Sequence, residues 1–197
     1  DTGRLRKDAG ALFPELNRSK LGITLNFRTP EGVELIKRMV EISDIVVENF
    51  AAGVLDRRGL GYDTLKQVKP DIIMMSMPGH GNTGPYSGHV AYGQTLMSYC
   101  ALSHLWGYPD SPPEARGKVH YADFVSAATG AMAISAALEY RAQTGRGQYI
   151  ELAQAEALAS TMGVALTDFL VNGRSWEAVG NRNPNAAPHG SYPCRGD

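Results

Sequence analysis

The stretch that decides the fold is residues 23–76, which read ITLNFRTPEGVELIKRMVEISDIVVENFAAGVLDRRGLGYDTLKQVKPDIIMMS. Short apolar runs in it predict strands: the first run alternates, and the second is a β-branched run without alternation, as is typical of a buried parallel strand. These runs are residues 23–27, 45–47 and 72–75. The segments between them predict helices, one with Thr29 as N-cap and Pro30 at its first position and two short ones at residues 51–57 and 62–68. The alternation predicts an α/β fold, namely a doubly wound, mostly parallel, Rossmann-like sheet with helices on both faces.

The pattern continues beyond residue 76 with a long loop from Pro78 to about Gly88, followed by further helices and one more strand. The predicted elements are a helix at 92–105, an Ala-rich helix at 124–143, a strand at 149–152 and a helix at 153–171. The last helix carries an apolar stripe that fits either an ordinary core or a surface toward another subunit. The stripe consists of Leu158, Met162, Leu166 and Leu170. The tail from Asn172 is rich in Gly, Asn and Pro and is predicted to be a loop.

The composition excludes several classes of protein. Of the 197 residues 43% are hydrophobic and 20% charged, and 19 basic against 20 acidic side chains give a formal charge of −1. A disordered chain would have fewer apolar residues and a larger charge imbalance. A nucleic-acid-binding protein would usually have an excess of Lys and Arg, and no run approaches the ~18 apolar residues of a membrane span. With two separate cysteines and no visible signal peptide, we expect a cytoplasmic protein that binds neither nucleic acid nor membrane.

The glycine-rich loop resembles a dinucleotide-binding motif in its letters alone. Residues 79–84 read GHGNTG, a G-x-G-x-x-G after a predicted strand. In a dinucleotide-binding fold the last glycines open a helix, and an acidic residue follows about 20 residues downstream. Here Pro85 continues the loop and that acidic residue is missing. The sequence therefore favours a flexible glycine loop beside a ligand over an NAD site.

Other catalytic signatures are also missing from the sequence. No G-x-S-x-G elbow for a nucleophilic serine occurs. The histidines are scattered, at positions 80, 89, 104, 120 and 189. The pair His120 and Asp123 is not by itself a metal-ligand set. We therefore predict that the protein has no metal site.

Asp123 stands directly before the predicted Ala-rich helix, in the stretch VHYADF at residues 119–124. In one interpretation it is the helix N-cap, a position that Asp fills well. In the other, backbone N–H groups and the helix dipole hold the carboxylate ionised at the same place. An ionised, positioned carboxylate can act as a covalent nucleophile toward an acyl group. The residue pattern leaves both interpretations open.

Five sets of motifs, in order along the chain, resemble those of the class III CoA-transferases, the CaiB–BaiF group. They are NRSK at 17–20 leading into ITLN at 23–26 and TPEG at 29–32, VENF at 47–50 followed by GVLDR at 53–57, KPDII at 69–73 with TGPY at 83–86, TGRGQ at 144–148, and GNR at 180–182. The resemblance implies the large α/β domain of an interlocked-dimer CoA-transferase fold over residues 1–171, beginning after the family's first strand and helix. Residues 172–197 would then start a linker toward a second, smaller domain.

The resemblance also implies the chemistry, in which CoA is carried from an acyl-CoA thioester to a carboxylic acid. Asp123 matches the family's catalytic aspartate, which attacks the thioester to give a mixed anhydride. The released CoA thiolate then forms an aspartyl-CoA thioester, which the acceptor acid resolves. The positions that match CoA contacts are Asn49, Phe50, Arg57, Leu25 and Arg28. The positions that match the substrate loop are Gly79, Gly81, Gly84 and Tyr92. Guanidinium groups suit the phosphates of CoA, and a mobile loop can exclude water from the anhydride.

Two alternatives stand beside CoA transfer. The related α-methylacyl-CoA racemases share the CoA motifs and the aspartate, but deprotonate Cα with an additional histidine. Tyr92 aligns with that histidine, with His89 three residues earlier, and a phenol with a pKa near ~10 is a poor general base at neutral pH. The second alternative is a CoA-binding but catalytically incomplete fragment. The resemblance further implies a homodimer of interlocked chains.

Overall fold

The structure, a computed structural model, describes residues 12–112 and 119–196. Its helices are α1 (Leu12–Leu16), α2 (Pro30–Glu41), α3 (Tyr62–Val68), α4 (Gly93–Tyr99), α5 (Leu102–Leu105), α6 (Tyr121–Thr144), α7 (Gln154–Ser160) and α8 (Gly163–Asn172). Its strands are β1 (Ile45–Glu48), β2 (Ile73–Ser76) and β3 (Tyr149–Glu151). The first eleven residues of the predicted large domain and Asp197, at the end of the predicted linker, lie outside the described residues.

The three strands form one parallel sheet in the order β1-β2-β3. They confirm the strands predicted at 45–47, 72–75 and 149–152, with ends that differ by one residue. The register aligns Glu48 with Ser76 and Ser76 with Glu151. Side chains that share a row of a parallel sheet point to the same face. Three polar side chains therefore lie next to one another where the strands end.

The strand predicted at residues 23–27 is wrong, because the chain turns there into α2. The Asn26 carbonyl accepts hydrogen bonds from the N–H and the hydroxyl of Thr29, both at 3.3 Å. The Thr29 hydroxyl also accepts from the Gly32 N–H at 3.2 Å, which confirms the predicted N-cap. A Cβ on Gly32 would collide with the Asn26 carbonyl. The cap thus occupies the backbone oxygen that a strand would have used for pairing.

Helices cover both faces of the sheet, as the sequence predicts. On one face Val46 and Met74 pack against α2 and α3. The buried residues of that core are Val40, Leu60, Leu65, Ile72 and Met74. On the other face Met75 contacts α6, and a Cβ on Gly130 would lie 2.9 Å from the Met75 sulfur. The described strand order contains no reversal, so the doubly wound arrangement stays a prediction.

Several helices differ from the prediction in where they break. The predicted helix at 92–105 is split into α4 and α5 at Ala101, whose left-handed φ of 61° cannot continue a helix. The predicted helix at 153–171 is split into α7 and α8. The helix predicted at 51–57 is wrong, because Gly53 turns the chain with a φ of 71° and a 3-10 helix at Asp56–Arg58 follows.

The helix α6 confirms the predicted Ala-rich helix and is the longest described helix, with 24 residues. An eighteen-residue window of it has a mean hydropathy of 1.2, so by length and composition it could cross a membrane. A core helix of an α/β domain meets the same two criteria. In this fold α6 packs against β2, α4 and α7.

The apolar stripe predicted at 153–171 divides at the break between α7 and α8. Leu158 and Met162 are buried, so the first half of the stripe belongs to the core. Leu166 is 48% exposed and Leu170 is 81% exposed. The second half therefore forms an open apolar surface on α8.

Candidate functional site

A cleft of about 380 Å³, here called the first cleft, lies beyond the carboxyl ends of the strands. Its walls come from residues 49–52 after β1, from Pro78 and Gly79 after β2, and from Ser87 and residues 89–93. Asp123 of α6 and Gln154 of α7 complete the lining. In open parallel sheets ligands bind outside the carboxyl ends of the strands, so this position suits a substrate.

A second cleft, of about 590 Å³, adjoins the first. Both clefts are lined by Asn49, Asp123 and Gln154. The other side chains of the second cleft include the apolar Val47, Met77, Phe124 and Ala127 and the basic Lys20 and His120. Asp123 is therefore the carboxyl group that the two clefts share.

Asp123 is not the N-cap of the long helix, which corrects the first interpretation of its position. The cap is His120, and Asp123 is the third residue of α6. Its carboxyl group lies against Gly93 at the start of α4. A Cβ on Gly93 would lie 2.8 Å and 2.9 Å from the two carboxyl oxygens. Gly93 thus permits a close approach that any other residue would prevent.

The environment of Asp123 raises the pKa of its carboxyl group above the ordinary value, mainly because the surrounding protein removes water from it, while His120 acts in the opposite direction. The side chain is open on the side of the clefts and packed on the side of Gly93. A helix terminus by itself lowers the pKa of a carboxyl group, but at Asp123 desolvation outweighs that effect. A raised pKa at a cleft is typical of functional carboxylates.

The residues predicted to contact CoA fall into two groups. Asn49 and Phe50 line the first cleft with Asp123. The Phe50 ring packs against Phe27, with centroids 5.6 Å apart, next to Arg28 in the chain. Arg57 donates to the carbonyl of Ala52, a residue of the first cleft, at 3.3 Å. Leu25, Arg28 and Arg57 line neither cleft.

The three predicted glycines of the loop do not line one site. Gly79 and Tyr92 line the first cleft, and Gly79 lies so close to Ala91 that the two ends of the loop touch. Gly81, with a φ of 83°, faces the carboxylate of Glu151. Gly84 lines a different cavity of about 480 Å³.

Aromatic rings hold the glycine loop together. His80 packs edge-on against Tyr99 with ring centroids 4.6 Å apart, and Tyr86 lies 5.3 Å from His89. Burial lowers the pKa of His80, and the neighbouring His89 lowers it further. No helix or strand occurs between Met77 and Tyr92, which confirms the predicted loop and leaves the glycine motif without the helix that a dinucleotide site requires.

Some residues of the site were not found from the sequence. Gln154 lines both clefts, and its amide donates to the Met77 carbonyl at 2.7 Å. Glu48, Ser76 and Glu151 form the polar row at the strand ends. The end of each predicted strand could have indicated this row, because parallel strands bring their carboxyl ends together. Within residues 12–112 and 119–196 no three His, Cys, Asp or Glu side chains form a group that could hold a metal ion.

Comparison with known proteins identifies the family. A family model described as "CoA-transferase family III" matches residues 1–197. The chain is 35% identical to a succinyl-CoA–D-citramalate CoA-transferase of Chloroflexus aurantiacus, over 97% of this chain and 48% of that protein. It is 32% identical to a succinate–glutarate CoA-transferase of Agrobacterium fabrum, over 94% of this chain and 46% of that protein.

A solved structure supports the same conclusion. The fold matches a crystal structure of a CAIB/BAIF family protein from Brucella suis with a TM-score of 0.81 and 38% identity, over 88% of this chain and 46% of that one. The chain spans about half the length of the curated relatives that it matches. A family match over all 197 residues nevertheless leaves no ambiguity, and the chain belongs to CoA-transferase family III.

Proposed function

We propose that this chain carries the catalytic aspartate of an enzyme that transfers CoA from an acyl-CoA thioester to a free carboxylic acid. The observation that carries the proposal is the position of Asp123, whose carboxyl group is open to two adjoining clefts and packed against Gly93. A nucleophile that exchanges an acyl group for CoA must be within reach of both the CoA thioester and the carboxylic acid. Two clefts that share one carboxylate meet that requirement.

In the proposed reaction the ionised Asp123 attacks the thioester carbonyl, the C–S bond breaks, and CoA leaves as a thiolate. The thiolate then attacks the aspartyl carbonyl of the anhydride, which releases the donor acid as a carboxylate and leaves an aspartyl-CoA thioester. The acceptor carboxylate attacks this thioester and displaces the thiolate again. Attack of the thiolate on the acceptor carbonyl finally forms the new acyl-CoA and frees Asp123. Each step exchanges one acyl bond for another, so no oxidant and no metal enters the balance.

CoA itself would lie along the first cleft and the surface beside it. Phe50 is 43% exposed, so its ring offers an apolar face to the adenine or the pantetheine arm. The guanidinium groups of Arg28 and Arg57 form no ion pair within the described ranges and are exposed. They remain available to anionic phosphates. Asn49 supplies a further polar group at the edge of the cleft.

The decisive experiment traps the covalent intermediate. The two named relatives use succinyl-CoA or succinate, so succinyl-CoA is the first donor to test. Incubation with succinyl-CoA followed by hydroxylamine should convert Asp123 to a hydroxamate, located by peptide mass spectrometry. Asp123→Ala should give no product, and Asp63→Ala, an exposed aspartate at the start of α3, should behave as wild type. Full transferase activity in Asp123→Ala would show that the nucleophile is a different residue.

Titration with CoA distinguishes a catalytically incomplete fragment from a chain that is active by itself. Isothermal titration of the 197-residue chain with CoA measures whether the described clefts bind it. If CoA binds stoichiometrically but hydroxylamine does not modify Asp123, the chain is a CoA-binding fragment that lacks the catalytic step. Binding together with trapping would indicate a self-sufficient catalytic site.

The racemase alternative has one supporting observation, because His89 lines the first cleft together with Asp123 and Tyr92. A 2-methylacyl-CoA incubated with the chain in deuterated water would then exchange its α-proton without any acceptor acid. We expect no exchange, because the named relatives are transferases. Rapid exchange that disappears in His89→Gln would reverse our choice between the two reactions.

We also propose that the protein forms a homodimer. The apolar surface of α8 supports this proposal, because Val164, Phe169, Leu170 and Val171 are all more than half exposed. Exposed apolar surface of this kind commonly marks a protein interface. Light scattering coupled to size-exclusion chromatography of the wild type and of Leu170→Glu tests it. A monomeric wild-type chain would contradict the proposal.

A further inference from the structure

The polar row at the strand ends is joined to the walls of the first cleft by hydrogen bonds. Ser76 lies in the middle of the row and is only 2% exposed. Its hydroxyl donates to the Glu48 carboxylate, and the other Glu48 oxygen accepts the Phe50 N–H at 2.7 Å. Glu48 therefore closes the turn that carries Asn49 and Phe50, two residues of the cleft wall.

The glycine loop is attached to the same serine from the other side. The Asn82 side-chain amide donates to the Ser76 hydroxyl at 3.0 Å and to the Tyr149 hydroxyl at 2.9 Å. The Asn82 N–H donates to the Glu151 carboxylate at 2.6 Å. A single asparagine thus binds the loop to β2 and β3.

These bonds form one continuous chain from the glycine loop through β2 to the turn after β1. Ser76 and Glu48 are the links of this chain between Asn82 and the Phe50 N–H. Within the described ranges neither Glu48 nor Glu151 is paired with a cation, so their hydrogen bonds to neutral donors decide their positions. Hydrogen bonds to a charged acceptor are stronger than bonds between neutral groups.

We propose that Glu48 and Asn82 are positioning residues that couple the glycine loop to the Asn49–Phe50 turn through Ser76. When the loop is attached, Asn82 holds Ser76, Ser76 holds the Glu48 carboxylate, and Glu48 holds the Phe50 amide. Release of the loop leaves the serine free to rotate and loosens the turn. The inference rests on the proposed function in one respect, namely that the turn belongs to the CoA site.

The first test needs no ligand. Amide hydrogen exchange of the apo chain, followed by NMR, measures opening at Phe50 in the wild type and in Asn82→Ala, Ser76→Ala and Glu48→Ala. Because loss of one neutral hydrogen bond changes a local opening equilibrium by about two- to tenfold, exchange at Phe50 should rise by at least that factor in Asn82→Ala and Ser76→Ala, and by more in Glu48→Ala, which removes the acceptor of the Phe50 N–H itself. Glu34→Ala, an exposed glutamate of α2, is the control and should leave Phe50 unchanged.

Two features distinguish coupling from a general loss of stability. Exchange of amides in the centre of α6 reports global opening and should not change in Asn82→Ala. Glu48→Gln should restore protection of Phe50, because the glutamine oxygen accepts the Phe50 N–H while its NH₂ group donates to the Ser76 hydroxyl, reversing that bond. If Asn82→Ala leaves Phe50 exchange at the wild-type rate, the coupling does not exist.

The second test uses CoA and separates this inference from the proposed function. Titration of wild type, Asn82→Ala, Glu48→Ala and the double variant gives a cycle of dissociation constants. We expect each single change to weaken CoA binding by about two- to tenfold and the double change to add little to either. Fully additive losses would contradict the coupling. Failure of the wild type to bind CoA would refute the proposed function, while the exchange experiment would still decide the coupling.

Discussion

The contact between Gly93 and Asp123 gives the sharpest prediction. In Gly93→Ala the new Cβ would lie 2.8 Å from one carboxyl oxygen of Asp123, whereas ordinary contacts begin at 3.4 Å. The carboxyl group must therefore move by about 0.6 Å or rotate away. The displaced atoms are the end of a short side chain that is open toward the clefts, so the fold itself needs little adjustment. Gly93 begins α4 without a left-handed φ, so alanine also fits its backbone.

The expected result is a large loss of activity with a small change in stability. Misplacement of a reacting group by about 1 Å can cost about 10²-fold in rate, so transfer from succinyl-CoA in Gly93→Ala should fall by about 10- to 100-fold. The free energy of unfolding should change by less than about 1 kcal/mol, because a surface-facing shift creates no cavity. Initial rates of transfer and urea unfolding measure the two quantities.

Gly163→Ala is the matched control for this prediction. Gly163 is also the first residue of a helix, α8, and nothing lies within 4 Å of a Cβ placed there. It should therefore retain wild-type transfer. Wild-type transfer by Gly93→Ala would refute the reasoning, since the position of the Asp123 carboxyl would not matter to the reaction. Unfolding of Gly93→Ala would equally refute it, since the contact would then belong to the core.

Four further predictions follow from single residues and their contacts. Because the pKa of Asp123 is raised by desolvation, its ionised form is lost at a higher pH than for an ordinary aspartate, so the rate of hydroxylamine trapping should fall on the acid side from a higher pH. Asp123 ionises more easily in the unfolded chain, whose ordinary pKa is 3.8, than in the folded protein, so its ionisation destabilises the fold at pH 7. Below pH 3.8 the carboxyl group is protonated in both states and this cost disappears. Asp123→Asn should therefore raise Tm at pH 7 and give no such gain at pH 3. Thr29→Ala should lower the free energy of unfolding by about 1 kcal/mol and Thr29→Ser should restore it, because the cap bond to a backbone N–H is lost and regained. Gly147→Ala should cost about 2 kcal/mol or more, because its Cβ would strike the backbone carbonyl of Ile72, whereas Gly88→Ala, with open space around it, should leave Tm unchanged.

The fold could be predicted wherever local sequence and burial agree. The run at 45–47 is β1, as its continuous β-branched segment predicts, although Val47 is 55% exposed and β2 is the strand that is buried throughout. The alternating run at 23–27 is not a strand, and at its end the Asn26 carbonyl accepts from Thr29, a local hydrogen bond that the sequence pattern does not record. The break at Ala101 carries no sequence signal, since alanine is otherwise the best helix former.

The site could be predicted less completely, because part of it depends on contacts between residues that are distant in the sequence. Asn49 and Phe50 follow a strand directly, and their position at the carboxyl edge of the sheet follows from topology. The approach of Gly93 to Asp123 joins two helices that are far apart in the chain, and spacing alone cannot show it. The pKa of Asp123 depends on how the surrounding protein buries its carboxyl group, so the helix terminus alone predicts the direction of the shift wrongly.

The shared position of Asp123 between two clefts has a consequence for steady-state kinetics. Because the clefts have separate walls and meet at Asn49, Asp123 and Gln154, a molecule in one cleft does not have to leave before another enters the other. Under the proposed reaction, the displaced CoA thiol can stay bound while the acceptor acid arrives. Double-reciprocal plots against the two substrates would then intersect. Parallel lines, the mark of strict ping-pong exchange, would instead mean that both molecules use a single entrance in turn.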